Sequence, residues 1–445
     1  MNDKLAELYP AHIEQMRRRF DRALGETGYD RAVIFAGAEH MIFLDDMPYS
    51  FKVNPHFKSW VPILTVPDSF VSYAPGEKPL LVFYQPVDYW YKPPEPPSGY
   101  WVGEFDIRVI ANPEEAKELV VRPGTKTAFL GEPEPTVAAW NVGDPNPERL
   151  VNHLHFERAW KTDYELECMR QATVLGVRGH RAAAEAFRSG ASEYEIHLAY
   201  LRATGHTEAE LPYGNIIAFN QHASVLHYQY LERAKPSASE RYSFLIDAGA
   251  SVNGYACDIT RTYSQRQDEY ADLVAAMDTA QQEICNSIRP GTDYRDVHML
   301  AHHKIGEILH RFGFTDLDGD GAVESRLTAT FLPHGIGHLI GLQVHDVGGF
   351  SADPKGTPIP KPEGHPYLRL TRKVEPRMVF TIEPGLYFID SLLKELRESD
   401  NAKHVKWEKV DSFRKYGGIR VEDDIAVTSD GIENMTRAEF ARQEA

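Results

Sequence analysis

The stretch FLIDAGASVNGYACDITRTY, residues 244–263, reads as two short strands joined at Asn253-Gly254. Asn-Gly suits a two-residue hairpin because both turn positions take positive φ. Each strand carries one acid in a largely apolar run, Asp247 in FLIDAGA and Asp258 in ACDITRTY. Folded back on one another, the strands can present both aspartates on the same face, which makes half of a metal cage. Cys257 falls on the opposite strand face and reads as packing.

The C-terminal part repeats the theme. MVFTIEPG, residues 378–385, sets Glu383 at the end of a strand, and GGIRVEDDIAVT, residues 417–428, puts Arg420, Glu422 and Asp424 on one face by alternation. Ile246-Asp247-Ala248-Gly249 and Ile382-Glu383-Pro384-Gly385 share the pattern apolar, acid, any residue, glycine. This internal similarity predicts a duplicated half-domain that supplies acids twice to one centre. Between the halves, FLPHGIGHLIGLQVHDVGGF (residues 331–350) brings His334, His338 and His345 into a glycine-rich, apolar run. Imidazoles in such surroundings call for metal ions, carboxylates or substrate.

Taken singly, each strand acid reads better as an ion-paired carboxylate at a strand end; the four together with three histidines shift the reading to a site. Four carboxylates with an imidazole make an oxygen-rich site that two divalent metals would neutralise. Ligand type favours Mn²⁺, with Co²⁺ or Zn²⁺ able to compete. Two ions about 3.5–4 Å apart can share a water, lower its pKa and polarise a carbonyl, which is hydrolase chemistry.

The remainder of the chain bounds this reading. Its 445 residues exceed one core, so two domains are expected, split near residues 160 and 161 into 1–160 and 161–445. A formal charge of −17 disfavours nucleic acid and anionic membrane as partners. No export signal or membrane span is visible, and three widely spaced cysteines form no disulfide framework, so the cytoplasm is expected. Residues 3–27 pattern as one amphipathic helix closing before Gly25. Short runs at 31–36, 61–66, 79–84, 105–110 and 127–130 read as strands, with a helix over 113–121, giving a mixed α/β N-terminal domain. Helices are expected over 161–187, 192–204, 267–288 and 294–312, the first two opened by capping boxes at Thr162/Glu165 and Ser192/Glu195. The C-terminal third is expected to return to strands.

Three features are set aside. Asp316–Glu324 resembles the start of an EF-hand, but its twelfth position is Leu327, so the sphere cannot close and a solvated acidic loop is expected. His298 and His302 stand four apart as in a zincin, yet Met299 replaces the catalytic glutamate, and both read as surface or core histidines. Asp45 and Asp46 read as a solvated turn.

The runs PHGIGHLIGLQVHDVGG, LIDAGA, DITRTY, TIEPGLYFID and GGIRVEDD, with FLDDM and FKVNP near the N-terminus, closely resemble the bacterial Xaa-Pro dipeptidases, or prolidases, including those described as organophosphorus acid anhydrolases. The resemblance covers nearly the whole chain. It implies an α/β N-terminal domain followed by an α+β pita-bread domain, of the creatinase and aminopeptidase kind, with pseudo-twofold halves. It implies two metal ions held by Asp247, Asp258, His338, Glu383 and Glu422, with Asp258 and Glu422 bridging, Asp247 on one ion, and His338 with Glu383 on the other. Glu383 is then the general base, and His227 and His345 hold the substrate carbonyl and its developing charge. His334 and Arg420 line the substrate pocket, Arg369 takes the C-terminal carboxylate, and Tyr213, Tyr294, Val344, Leu368 and Asp46 are further pocket residues, Asp46 in a neighbouring subunit's. The expected reaction is hydrolysis of dipeptides with C-terminal proline by a metal-activated water, in a homodimer or dimer of dimers. Organophosphorus ester hydrolysis is an implied side reaction, and aminopeptidase P activity on longer peptides is the alternative.

Overall fold

The computed structural model describes residues 3–444. The chain divides into two units. The first runs to Cys168 and takes in Val252–Tyr255 and Ser351–Thr357; the second holds the rest. The division falls inside one long helix, Asp163–Arg188.

In the first unit, a helix over Asp3–Thr27 buries Leu5, Tyr9, Ile13, Met16, Phe20 and Leu24 along one stripe. It runs through Gly25 and ends at Gly28, whose φ of 72° supplies the left-handed turn. Strands β1 (Arg31–Phe35), β2 (Phe70–Tyr73), β3 (Leu80–Tyr84), β4 (Asp106–Ile110), β5 (Thr127–Leu130) and β6 (Asp144–Pro145) form a mixed sheet of order β4-β3-β2-β1-β5-β6. Val33, Phe35, Phe70, Val82, Phe129 and Trp140 make its core. Each such apolar side chain contributes about 1.5–3 kcal/mol on burial.

Val61–Val66, expected as a strand, is irregular, and the strand lies instead at Phe70–Tyr73. Pro62 inside that run and Pro67 just after it remove backbone donors, so it does not join a ladder although Val61 and Val66 are buried. At the hairpin predicted from Asn253-Gly254, those residues take φ of 51° and 84°, and the Asn253 amide donates to the hydroxyls of Tyr100 and Tyr164.

The second unit is built on two small antiparallel sheets. β7 (Ile216–Phe219), β8 (Ser243–Asp247) and, beyond the β9 (Ser251–Val252) and β10 (Tyr255–Ala256) hairpin, β11 (Thr260–Ser264) give the order β11-β8-β7. β12 (Val379–Ile382), then β13 (Gly385–Tyr387) and β14 (Gly418–Arg420), then β15 (Asp423–Val427) and β16 (Ile432–Asn434) give a second sheet, β12-β15-β16, with β13-β14 as a separate pair. A bridge between Thr260 and Glu422 ties the two together. Helices cover them, and Phe187, Ile196 and Tyr200 pack on Ile217, Phe219, Phe244 and Ile246.

Both capping boxes form: Thr162 and Glu165 exchange bonds of 2.8 and 3.2 Å, and Ser192 with Glu195 does the same. The C-terminal third is not all strand, because Asp390–Arg397, Trp407–Phe413 and Met435–Arg442 are helical. The acidic run at 316–324 is only partly a loop. Asp318 accepts from Gly321 N and caps a short helix, Gly319–Glu324, while Asp316 pairs with His404.

Candidate metal centre and substrate cavity

A cavity of about 780 Å³ opens in the second unit, lined by His227, Asp247, Asp258, His334, His338, His345, Arg369, Glu383, Arg420 and Glu422 together with apolar side chains including Leu226, Phe350, Tyr367, Ile389 and Leu392. The acids arrive from strand ends on both sheets. Asp247 closes β8, and its cross-strand partner is Thr260 at the start of β11, two residues past Asp258. Glu383 follows β12, and its amide donates to Ile336 O at 2.8 Å. Glu422 sits in the break between β14 and β15, where its amide donates to Thr260 O and its carboxylate accepts from Thr260 Oγ1 at 2.6 Å.

His338 is placed by its neighbours. Leu339 bridges to Phe380 on β12, and Thr381 N donates to His338 O. Between Pro333 and His338 the backbone must pass close by, since at Gly337 (φ 157°) a Cβ would lie 2.1 Å from Thr381 O. The His338 Nδ1 lies 3.1 Å from Leu339 O, a pure acceptor, so Nδ1 carries the proton and Nε2 presents a lone pair. That lone pair faces Asp258 Oδ2 and Glu383 Oε1, each at 3.6 Å. An imidazole lone pair and two carboxylates converging in this way are a donor set suited to a cation. Ligand atoms of Asp258, His338 and Glu422 lie within 4.8 Å of one another, and one buried oxygen of Asp247 has no hydrogen-bond partner.

The electrostatics agree. Burial, then the charges of Asp247 and Asp424, push Asp258 well above the usual carboxylate range. Burial raises Glu383 to about 8 and Glu422 well above its ordinary value, Glu422 also through Asp258 and Glu383. Burial pulls His338 down to about 3 and holds it neutral, as a metal ligand must be. These residues fit a pair of divalent cations: oxygen-rich, crowded with negative charge and equipped with a free imidazole lone pair.

Without metal, the folded chain keeps protons on Glu383 over the window from about 4.5 to about 8 in which the unfolded chain has released them. Its stability is therefore expected to fall as pH rises through that window, the penalty being absent below the lower value and complete above the upper. Bound cations remove the repulsion, so the metal-loaded protein should not show this decline. Thermal midpoints of chelated and loaded protein between about pH 5 and 8 check this; parallel curves would contradict a metal site here.

Around the acids, Arg420 donates to Asp247 Oδ2 at 2.6 Å, to Tyr387 Oη at 2.9 Å and to Thr260 Oγ1 at 3.2 Å. His334 is set by Gly335 O and by the same Tyr387 hydroxyl, and burial lowers it to about 4. His345 stacks edge-on against His338, with ring centroids 4.4 Å apart; burial, then Arg369, lowers it to about 4.

Not every expected pocket residue reaches the cavity wall. Tyr213 lies behind it, with its hydroxyl on Asp258 Oδ1 at 2.5 Å. Tyr294 is buried and its hydroxyl is used by Thr381 O at 2.8 Å, so it braces β12. Leu368 is fully buried, Val344 is half-buried beside His345, and neither lines the cavity. Asp46 lies in an exposed turn of the first unit.

Sequence reading missed Tyr387, Thr260 and Thr381. Thr260 was findable as the residue two beyond Asp258, on the same face. Adjacent acids on β15 also diverge. Asp423 is held by Arg261 at 2.6 Å and Arg437 at 2.8 Å and, despite burial, these lower it to about 2, while Asp424 accepts from the Asp258 amide.

Residues 7–156 match the family profile of the Xaa-Pro dipeptidase N-terminal domain, and residues 167–429 match metallopeptidase family M24. The chain is 50% identical to a Xaa-Pro dipeptidase of Stenotrophomonas maltophilia strain K279a, over 98% of this chain and 97% of that one. It is 47% identical to the Xaa-Pro dipeptidase of Aeromonas hydrophila, over 97% and 98%. Among solved structures, aminopeptidase P from E. coli with the inhibitor Pro-Leu superimposes with a TM-score of 0.71 at 22% identity, covering 96% of this chain and 99% of that one. The Pseudomonas aeruginosa aminopeptidase PepP gives 0.73 at 22%, covering 97% and 98%. These last two share the fold, an N-terminal domain followed by a pita-bread domain. With four clustered acids, an imidazole and matches along nearly its full length, the chain belongs to metallopeptidase family M24, in the group of the Xaa-Pro dipeptidases.

Proposed function

We propose that the protein hydrolyses dipeptides whose second residue is proline, using two divalent metal ions. The observation that carries this is the convergence of Asp247, Asp258, Glu383, Glu422 and the His338 lone pair on one cavity that also presents Arg369. Asp247, Asp258, His338, Glu383 and Glu422 would hold the ions. Oxygen-dominated donors make Mn²⁺ the ion of choice, ahead of Co²⁺ or Zn²⁺. When bound, the ions lower the pKa of a water in the cavity and polarise the substrate carbonyl.

The side chains supply the rest. Glu383 takes a proton from the attacking water and returns it to the proline nitrogen as the bond to Xaa breaks. His227 and His345, both on the cavity wall, donate to the oxygen that gains charge. Arg369 receives the proline carboxylate, and the apolar wall takes the ring. His334 and Arg420 shape the pocket floor through Tyr387.

Three free, buried cysteines suit a reducing cytoplasm, and among the described residues no helix is long and apolar enough to cross a membrane. Loops of the first unit expose Phe43, Leu44, Val87 and Trp90, Leu44 at 91% and Val87 at 95%, which supports a homodimer or dimer of dimers.

The deciding experiment offers Ala-Pro, Leu-Pro and a tripeptide with proline second to enzyme reconstituted with manganese. Cleavage of the dipeptides with little turnover of the tripeptide is expected. Preference for the tripeptide would move the assignment to aminopeptidase P.

A further inference from the structure

Beyond the acid-lined cavity, a second gathering of metal-ligating side chains is formed by His298, His302 and His365. His298 and His302 stand one turn apart on the same face of the helix Tyr294–Arg311 and are buried, at 1% and 0% exposure. His365 arrives from a loop sixty-odd residues away and is half-buried. The three rings form a compact triangle with centroids 4.6, 4.7 and 4.4 Å apart. One ring nitrogen from each lies within 4.8 Å of the other two.

This arrangement is poorly explained as packing. His302 Nδ1 meets Thr328 Oγ1 at 3.0 Å, which orients the ring, yet its Nε2 is buried without a partner. His298 Nε2 faces His365 Nδ1 at 2.9 Å, and its own Nδ1 is likewise buried and unpartnered. A buried polar atom left unsatisfied costs about 1–3 kcal/mol, and here two occur within one cluster. Burial lowers His298 to about 2 and His302 to about 3, so both rings are neutral and each offers a lone pair. A helical i, i+4 histidine pair plus a third from a distant loop is a three-nitrogen set with its fourth position open, which zinc accepts readily. Imidazoles also select differently from the oxygen-rich centre, favouring zinc over manganese.

We propose that His298, His302 and His365 form an additional metal site that takes one zinc-class ion and clamps the loop bearing Tyr367 and Arg369 to the Tyr294–Arg311 helix. His365 is four residues from Arg369, and both Tyr367 and Arg369 line the substrate cavity. The ion thus stands behind the cavity wall, where it sets the loop without touching substrate. Its bearing on substrate rests on the role given to Arg369; its existence does not.

Zinc added to tag-free, manganese-loaded full-length protein, followed by desalting and metal analysis, tests the site. The wild type is expected to retain one more zinc per chain than His365→Ala, with equal manganese in both. Any zinc exchanged into the carboxylate centre would be common to the two and cancels in the difference. His365 sits half-exposed on a loop, so this variant keeps its fold; His302→Gln, compared after a thermal melt, should lose the same ion. Equal zinc in wild type and His365→Ala would overturn the site. The zinc-loaded wild type is also expected to show a several-fold lower dipeptide KM than His365→Ala at similar kcat, and equal KM values would overturn the clamp.

Discussion

Replacing Asp258 with asparagine is expected to remove divalent metal and activity together, lowering kcat/KM by at least about 10³-fold, or about 4 kcal/mol of transition-state stabilisation. The amide keeps the size of the side chain and can still accept from the Tyr213 hydroxyl, and the backbone bond from Asp258 N to Asp424 is untouched. What disappears is a negative charge at the point where Asp258, His338 and Glu422 converge. A second readout separates lost chemistry from lost folding. Asp258 is buried against Asp247 and Asp424 with its carboxyl pushed well above its ordinary range, so metal-free Asp258→Asn should melt no lower than metal-free wild type. Turnover retained near the wild-type level, or a metal content unchanged from wild type, would rule out the assigned centre.

Arg369→Ala is expected to raise KM for Xaa-Pro dipeptides about 10- to 100-fold while leaving kcat within a few-fold, the effect of losing a charge-assisted hydrogen bond worth about 1.5–3 kcal/mol. The side chain is exposed on the cavity wall, so its truncation leaves no buried charge behind. Dipeptide amides, which lack the carboxylate, should be hydrolysed by wild type and variant alike. Arg369→Lys should recover only part of the loss, because an ammonium cannot form the paired bonds of a guanidinium. A loss of equal size on dipeptides and their amides would contradict the carboxylate role.

Much of the architecture follows from local order. The strands β8, β11 and β12, the Asn253-Gly254 turn, and the two capping boxes are properties of a few consecutive residues, and each appears in the fold close to its predicted place. The one alternating strand expected over 417–428 is instead broken at Val421 and Glu422, so Arg420 lies on β14 and Asp424 on β15, in different sheets. That Gly337 must be glycine is shown only by the fold, where a Cβ would meet Thr381 O.

Failures have two sources, local chain-breakers and caps outweighed by the apolar or acidic pattern, and neighbours distant in the chain. Val61–Val66 is apolar enough for a strand, but Pro62 within it and Pro67 after it leave it without a ladder and it packs as irregular chain. Asp318 was expected in a solvated acidic loop and caps a short helix. Glu422 and Asp423 are adjacent in sequence and opposite in behaviour, since one faces acids and the other faces Arg261 and Arg437. His298 and His302 carried no visible partner, because His365 is brought to them by the turn of a loop.

By itself, then, the amino-acid order determined where most strands and turns lie and which acids and histidines are candidates for the chemistry, because strand period and turn conformation are set by the backbone within a few residues. Only the tertiary structure decided which acids share a cavity, that Tyr387 joins His334 to Arg420, that Tyr294 and Leu368 stand behind the wall and not on it, and that three histidines meet. Those outcomes depend on contacts across tens to hundreds of residues, and such contacts leave no period in the sequence.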